Sequence, residues 1–297
     1  MKIIITGGTG LLGKSLIETQ NFSTEITATY IGAYTMEDRF GIKYIKLDIR
    51  DSEGYERLFR EIKPDVVVHT AGVGSPDYAE LHRKETWEIN VGGTMNVLSL
   101  CREYQSKLVF ISSNGIYDGE KAPYGEEDEP KPINYYGELK FEVEKNLKNC
   151  SIPCAIVRPI LMYGWNHPFE RPNIATYALS LMRQGSPVFV YDDVFVTPLY
   201  SRECGKAIWG IIEKGQYSVF NIAGAERTSI YQMIKKLAAL YEFDDELVKP
   251  VKQGFFHELT KRPRDTSFKT GKMQALLGLR PLTLEEGFSR FKAESNR

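Results

Sequence analysis

KIIITGGTGLLG, residues 2–13, is the stretch that decides the fold. A short apolar run leads into a glycine-rich turn, and an apolar helical pattern begins at Leu11. Glycines at 7, 10 and 13 give a GxxGxxG spacing, which allows a tight turn, close packing of helix on strand and a backbone free of Cβ atoms. A pyrophosphate can approach such a backbone at the helix N-terminus. The stretch therefore predicts a dinucleotide-binding loop at the start of a doubly wound α/β sheet.

The alternation of strand-like and helix-like segments continues through the first half of the chain. Runs such as IIIT (3–6) and VVVH (66–69) are apolar on both faces, as expected for a parallel sheet covered by helices on both sides. We predict a Rossmann domain over residues 1–160. A smaller C-terminal α/β substrate-binding domain follows over 161–297, with residues 194–213 or so returning to the first domain. The predicted strands of the first domain are 2–6, 25–30, 43–49, 65–71, 107–113 and 154–160, and its predicted helices are 11–20, 52–62, 84–104 and 135–148.

Composition narrows the class of protein. The chain has 297 residues, 42% of them hydrophobic, and a formal net charge of -1. Because there is no basic surplus to neutralise phosphates, a nucleic-acid partner is not expected. No run of about 18 apolar residues and no signal peptide is found, so we expect a cytoplasmic protein without a membrane partner. The four cysteines form no CxxC pair, which predicts free thiols and no metal site.

The end of the second strand bears on the choice of coenzyme. An acid normally stands there to bind the ribose 2'-hydroxyl of NAD, but this chain has TYIG at 29–32 and no carboxylate before Glu37. Lys14 and Arg39 are the nearest cations that could hold a 2'-phosphate, although each could equally be a solvated surface charge. The pattern favours NADP as the coenzyme, and NAD remains the alternative. Asp48 could lie beside the adenine or cap the following helix.

Tyr136 and Lys140 stand four residues apart in a segment with helical periodicity, so their side chains share one face. A tyrosine can protonate a carbonyl oxygen during reduction if a nearby ammonium lowers its pKa. Ser112 and Ser113 end the fifth predicted strand, at the edge of the sheet where α/β folds bind ligands. The pair alone also fits a surface tyrosine beside a lysine, so the other motifs carry the interpretation.

Five motifs occur in the order found in extended short-chain dehydrogenases, and the chain resembles that family over essentially its whole length. They are GxxGxxG, HTAG (69–72), WEINVGGTMNV with Asn90, ISSNGIYDG (111–119) and YxxxK. Among the subfamilies it looks most similar to the dTDP-4-dehydrorhamnose reductases. The blocks that carry this second resemblance are INYYGELKFEVEKNL, VRPILMYG, FVTPLYSREC and KRPRDTSFKTGKMQALLG.

The resemblance implies roles for individual residues. Tyr136 would be the general acid, Lys140 would tune it and hold the nicotinamide ribose, Ser113 would polarise the substrate oxygen, and Asn90 would support the proton-relay region. The expected coenzyme contacts are Gly7, Thr9, Gly10, Leu11, Leu12, Gly13, Asp48, Ile49, Ala71, Gly72, Asn90, Tyr136 and Lys140. The expected substrate contacts are Ser113, Asn114, Tyr136, His167, Arg171 and Arg262, with Asn173 and Arg264 as further candidates.

Two acid–base motifs of related enzymes are absent, which limits the reactions expected of this chain. Related dehydratases carry an Asp-Glu pair after the catalytic hydroxyl residue, and related epimerase-reductases carry a cysteine; this chain has Asn114 and Gly115, which cannot move a proton. The resemblance therefore implies NAD(P)H-dependent reduction of the 4-keto group of a nucleoside-diphospho-4-keto-6-deoxysugar. A 4-epimerase that keeps NAD bound and a non-catalytic regulatory subunit stay open. A homodimer through helices 84–104 and 135–148 is a further expectation, although the charged face of the second helix could also be solvated.

Overall fold

A seven-stranded parallel sheet forms the centre of the computed structural model, which describes residues 1–20, 24–38 and 41–295. Its strand order is 3-2-1-4-5-6-11, numbered along the chain. The strands are β1 (Lys2–Thr6), β2 (Glu25–Tyr30), β3 (Ile42–Lys46), β4 (Val66–His69), β5 (Lys107–Ile111), β6 (Cys154–Pro159), β7 (Met162–Tyr163), β8 (Val188–Tyr191), β9 (Phe195–Val196), β10 (Leu199–Tyr200), β11 (Val219–Ile222), β12 (Thr228–Ser229) and β13 (Val248–Val251).

Helices cover both faces of this sheet, as the alternating sequence pattern predicts. The helices are α1 (Leu11–Thr19), α2 (Ser52–Ile62), α3 (Pro76–Leu81), α4 (Arg83–Trp87), α5 (Thr94–Glu103), α6 (Tyr135–Lys148), α7 (Ile174–Arg183), α8 (Ser201–Glu213), α9 (Ile230–Leu240) and α10 (Leu284–Glu294). Successive residues of β1 enter different cores, since Ile3 and Ile5 pack into one cluster and Ile4 into the other. The doubly wound α/β class is confirmed.

The second half of the chain is built into the same core. β11 pairs in parallel with β6 and completes the sheet. α8 packs on α1, where the Trp209 indole N–H donates to the Leu16 carbonyl at 3.0 Å and the Ser15 hydroxyl donates to Ser201 at 2.8 Å. The remaining strands form three two-stranded sheets beside α7, α9 and α10. The division of the chain into domains at residue 160 stays a prediction.

The largest differences between the predicted and observed elements are at β3 and in the predicted helix 84–104. β3 ends at Lys46 rather than 49, because the Asp48 side chain accepts the Arg50 N–H at 2.9 Å and Asp51 caps α2, which commits this stretch to a turn. The predicted helix 84–104 is divided into α4, a six-residue π-helix over Glu88–Gly93, and α5. The π-helix contains Asn90, and wide turns of this kind are frequent at functional sites.

Candidate active site

The glycine loop between β1 and α1 forms one wall of the site. Gly7 has a φ of +69°, a backbone conformation that favours glycine. A Cβ on Gly13 would lie 2.3 Å from the Gly7 carbonyl oxygen, so α1 approaches the turn as closely as glycine permits. Gly10 stands at the N-cap of α1, and no side chain caps that helix, which leaves backbone N–H groups of the first turn available to an anion. The loop fits the pyrophosphate of a dinucleotide.

A cleft of about 390 Å³ opens from this loop along the carboxyl ends of the strands. The side chain of Leu12 is buried in the hydrophobic core and does not line the cleft, and Gly13 serves the packing just described. Any contact of Leu12 with a coenzyme would therefore be made by its backbone. The predicted residues that line the cleft are Gly7, Thr9, Gly10, Asp48, Ile49, Ala71 and Gly72.

Asp48 is held by an arginine that the sequence did not single out. The Arg50 guanidinium donates to both carboxylate oxygens of Asp48, at 3.0 and 2.7 Å, and this bond holds the pKa of Asp48 below its ordinary value. Lys14, the expected cation for a 2'-phosphate, forms an ion pair with Glu18 at 2.7 Å on the first helix. Arg39 lies outside the residues that the structure describes.

The start of α6 brings the tyrosine to the serine. Asn134 caps the helix by accepting the Gly137 N–H at 2.9 Å, and a Cβ on Gly137 would lie 2.2 Å from the Gly115 carbonyl oxygen. A Cβ on Gly115 would in turn lie 3.3 Å from both the Ser113 Oγ atom and the Tyr136 ring. Two glycines thus let the helix and the turn after β5 approach closely enough to place Ser113 beside Tyr136.

The lowered pKa expected for Tyr136 is not found, because burial disfavours the charged forms of both Tyr136 and Lys140. Burial raises the pKa of Tyr136, and a hydrogen bond with Ser113 acts in the opposite direction. Burial lowers the pKa of Lys140 to about 8, against the attraction of the Glu144 carboxylate. The Lys140 ammonium donates to the Ile111 carbonyl at 2.8 Å and lies 6.0 Å from the centre of the Tyr136 ring. The tyrosine is therefore protonated at neutral pH, with a cation one helical turn away.

A buried ion pair lies beneath the lysine. The Arg158 guanidinium donates to both oxygens of Glu144, at 2.9 and 2.5 Å, and the Ser112 hydroxyl donates to the same carboxylate at 2.5 Å. Arg158 also donates to the Tyr117 hydroxyl at 2.8 Å. Glu144 and Arg158 are almost completely buried. The network joins β6 and Ser112, the residue after β5, to the helix that carries Lys140.

Asn90 organises the turn after β4 from its π-helix. Its side-chain oxygen accepts the Val73 N–H at 2.7 Å and its side-chain nitrogen donates to the Val73 carbonyl at 3.0 Å. A Cβ on Gly72 would lie 3.0 Å from that Asn90 oxygen and 3.9 Å from the Lys140 Nζ atom. Gly72, which lines the cleft, therefore lies beside Lys140 at this end.

His69, the first residue of HTAG, is a buried member of the site to which the sequence assigned no role. Burial, with a smaller contribution from the Lys140 charge, lowers the pKa of His69 to about 3, so the ring is neutral. The Thr94 hydroxyl donates to the Asn90 carbonyl at 2.6 Å, so the His69 Nε2–H must donate to Thr94, 2.9 Å away. Nδ1 then accepts from the Thr6 hydroxyl at 2.7 Å. One neutral imidazole tautomer thus joins β1, β4 and the helix after Asn90.

The substrate candidates fall into two groups. The segment 261–267 lies against the turn at Ser113–Gly115 and the start of α6, since the Asn114 side chain donates to the Thr266 hydroxyl at 2.6 Å and Asn134 donates to the Lys261 carbonyl at 3.0 Å. Arg262 in this segment donates to Asp77, at the start of α3, at 2.6 Å. These contacts place Asn114 and Arg262 in one connected region beside Ser113.

The loop after β7 carries the second group. The His167 ring stacks on Phe169 with centroids 4.9 Å apart. Arg171 is exposed, and Asn173 caps α7 while donating to the Gly164 carbonyl at 2.7 Å. Glu170 of the same loop reaches the glycine loop and lines the coenzyme cleft, which sequence spacing could not show.

The described residues contain no cluster of three or more His, Cys, Asp or Glu side chains that could hold a metal ion, and the four cysteines are free. Within the same residues, no helix combines the length and the apolar character needed to cross a membrane.

Comparison with known proteins identifies related chains at low identity. A family model described as the RmlD substrate binding domain matches residues 1–296. Methionine adenosyltransferase 2 subunit beta of Mus musculus is 24% identical over 282 residues, which cover 93% of this chain and 82% of that protein. The dTDP-4-dehydrorhamnose reductase of Aggregatibacter actinomycetemcomitans is 24% identical over 311 residues, which cover 98% of both proteins.

The fold is shared with a solved reductase. The crystal structure of dTDP-4-dehydrorhamnose reductase from Bacillus anthracis in complex with NADP superposes with a TM-score of 0.86. The two chains are 27% identical, and the match covers 99% of each.

Proposed function

The chain belongs to the family of the RmlD substrate binding domain, and from this premise we propose that it reduces the 4-keto group of a nucleoside-diphospho-4-keto-6-deoxysugar. It is an NAD(P)-dependent oxidoreductase of the extended short-chain dehydrogenase type. The substrate class and the residues below are the part that we propose.

The arrangement of Ser113, Tyr136 and Lys140 is the observation that carries the proposal. Carbonyl reduction needs a proton at the oxygen at the moment when hydride reaches the carbon. The raised pKa of Tyr136 keeps its proton available at neutral pH, and the neighbouring ammonium of Lys140 stabilises the phenolate that forms when the proton leaves.

Each residue then has one task. Bound NADH or NADPH supplies the hydride. Tyr136 donates its phenolic proton to the carbonyl oxygen, and the Ser113 hydroxyl donates a hydrogen bond to the same oxygen. Lys140 holds its positive charge near the phenolate and, by the family resemblance, would contact the nicotinamide ribose. Asn90 keeps the turn at Gly72 in place beside them.

The substrate class rests on the region around Ser113. Asn114 and Gly115 offer no acid or base, which disfavours dehydration and a separate carbon epimerisation. Arg262 could hold a pyrophosphate with its planar guanidinium, in exchange for its present partner Asp77. The reductase name of one similar protein supports the same class.

A regulatory subunit is the second candidate function, favoured by the similarity to a protein named as the beta subunit of another enzyme. We also carry a homodimer as a proposal. Leu81 and Trp87, on α3 and α4, are 64% and 49% exposed, and an apolar surface there would suit a partner.

The test is oxidation of NADH and NADPH, followed by absorbance, against dTDP-, UDP-, GDP- and CDP-linked 4-keto-6-deoxysugars. Turnover with one of them would establish the reductase and its nucleotide. No turnover, together with NAD that stays bound through purification, would point to the 4-epimerase. No turnover without bound coenzyme would favour the regulatory subunit, and light scattering of the same sample would report the oligomeric state.

A further inference from the structure

Strand β2 ends without the acid that NAD enzymes usually place there. Tyr30 is its last residue, and Ile31 and Gly32 follow. A carboxylate at this point normally accepts hydrogen bonds from the ribose of NAD and repels the 2'-phosphate of NADP. A chain that selects NAD without this acid must supply the negative charge from another segment.

Glu170 brings a carboxylate to this place from the loop after β7. Its Oε1 atom accepts a hydrogen bond from the Tyr34 hydroxyl at 2.5 Å and one from the Thr9 hydroxyl at 3.0 Å. Tyr34 stacks on Tyr30, with ring centroids 5.5 Å apart, so the carboxylate is tied both to the glycine loop and to the end of β2.

The loop that carries Glu170 is held in position by its own contacts. Phe169 stacks on Tyr34 with centroids 3.8 Å apart. The Glu170 N–H donates to the His167 carbonyl at 3.0 Å, and the Asn166 side chain donates to the Glu170 carbonyl at 3.1 Å. Both hydroxyl bonds to the carboxylate use Oε1, and no hydrogen bond to Oε2 is found within residues 1–20, 24–38 and 41–295.

The charged side chains that line the cleft are mostly acidic, like Glu170 itself. The lining includes three acids, Asp48, Glu85 and Glu170. Among the lining residues that the structure describes, Arg50 is the one cation, and it is bonded to both oxygens of Asp48 and lies 3.9 Å from Glu85. A 2'-phosphate, with a charge near -2, would meet a surplus of negative charge here.

We infer that Glu170 replaces the missing acid of β2 and makes the enzyme select NAD over NADP. Glu170 accepts from the ribose hydroxyls of NAD, while Thr9 and Tyr34 hold it in position. This inference rests on the coenzyme site of the proposed reductase and concerns the choice between its two coenzymes.

Calorimetric titration of the full chain with NADH and NADPH tests the inference without any sugar substrate. Wild type should bind NADH at least about tenfold more tightly than NADPH, which is the effect of one hydrogen bond to a charged group. Glu170→Gln should remove most of this ratio, mainly by weakening NADH. Glu170→Lys should reverse it.

Glu37→Gln is the matched control, because Glu37 is the first acid after β2 in the chain and is exposed. It should leave the ratio unchanged, and thermal melts of all variants should show that they are folded. Tighter binding of NADPH by wild type, with NADPH weakened by Arg39→Ala, would overturn the inference. Glu170→Gln could also change the affinities for NADH and NADPH equally. This result would overturn the inference, since Glu170 would then only hold the glycine loop in position.

The outcomes separate this inference from the proposed reaction. The protein could prefer NADH through Glu170 and yet reduce no sugar nucleotide. That result would support the inference about Glu170 and contradict the proposed reductase function. Turnover with NADPH but not with NADH would support the reductase function and contradict the inference about Glu170.

Discussion

At the scale of single residues, the proposed chemistry depends on one phenolic proton. Tyr136→Phe keeps the ring and removes the proton donor, so we expect the rate of keto reduction to fall by about 10²- to 10⁴-fold. Coenzyme affinity should stay within about twofold. Single-turnover kinetics and a coenzyme titration measure both quantities. A variant that reduces the substrate at the wild-type rate would remove Tyr136 from the mechanism.

In the proposed mechanism Lys140 stabilises the phenolate of Tyr136, whereas its burial as a cation destabilises the fold. Its pKa falls from 10.5 to about 8 on burial, which corresponds to about 3 kcal/mol of folding free energy at low and neutral pH. The unfolded chain binds the proton more tightly, so this cost disappears as pH rises from about 8 towards 10.5. Lys140→Met should abolish turnover and raise the free energy of unfolding at pH 7, offset in part by the lost hydrogen bond to Ile111.

Denaturant unfolding of Lys140→Met and wild type at pH 7 and pH 10 measures this effect. The stability advantage of the variant should shrink at the higher pH. An advantage that is constant across this range would show that the lysine is not held with a lowered pKa.

The sequence alone predicts that some residues of the site lie together, but it does not predict others. Ser113, Tyr136 and Lys140 come together because a strand end and a helical i, i+4 pair meet at one edge of the sheet; their roles stay predictions. Glu170 reaches Thr9 across 161 positions, and such a contact follows only from the packed loop.

At the scale of elements, α6 is positioned by a glycine. Gly137→Ala would put a Cβ 2.2 Å from the Gly115 carbonyl oxygen, so the start of the helix must move away from the turn. We expect a loss of stability of about 1–3 kcal/mol and a larger loss of activity, because Tyr136 moves with the helix.

Gly210→Ala in α8 is the control for this prediction. A Cβ there would meet only the Leu277 side chain at 3.8 Å, an ordinary contact. Better helix propensity should then stabilise the protein by up to about 1 kcal/mol. Thermal melts and kinetic assays of both variants decide the matter, and equal behaviour of the two would contradict the proposed close approach.

The elements themselves were largely predictable, with one informative exception. Apolar runs and helical periodicity give nearly all the strands and helices of the first half within a few residues. The π-helix over Glu88–Gly93 was not predictable, because a widened turn leaves the apolar pattern almost unchanged. Its effect appears only in the contacts of Asn90 with Val73.

At the scale of the whole molecule, the two halves of the chain depend on each other. A fragment ending at residue 160 lacks β11 and α8. One edge of β6 is then unpaired, and the face of α1 that Trp209 covers in the full chain is exposed. We expect this fragment to lack a cooperative unfolding transition by circular dichroism. Addition of residues 161–297 as a second polypeptide should restore it. A fragment that melts cooperatively near the temperature of the full chain would show that residues 1–160 fold alone.

The family resemblance drawn from five motifs is confirmed by the match over residues 1–296. The fold class follows from the same rhythm of strands and helices. The sequence does not predict which segment forms the seventh strand of the sheet. That strand, β11, begins at Val219, sixty residues after β6 ends at Pro159.

This late strand has a consequence for synthesis on the ribosome. The nascent chain can pair its first six strands while the outer edge of β6 still presents free N–H and C=O groups. Such an edge is a template for pairing with neighbouring nascent chains. It stays open until Val219–Ile222 has left the exit tunnel, so we expect the risk of aggregation between nascent chains to be greatest while residues 160–218 are being synthesised.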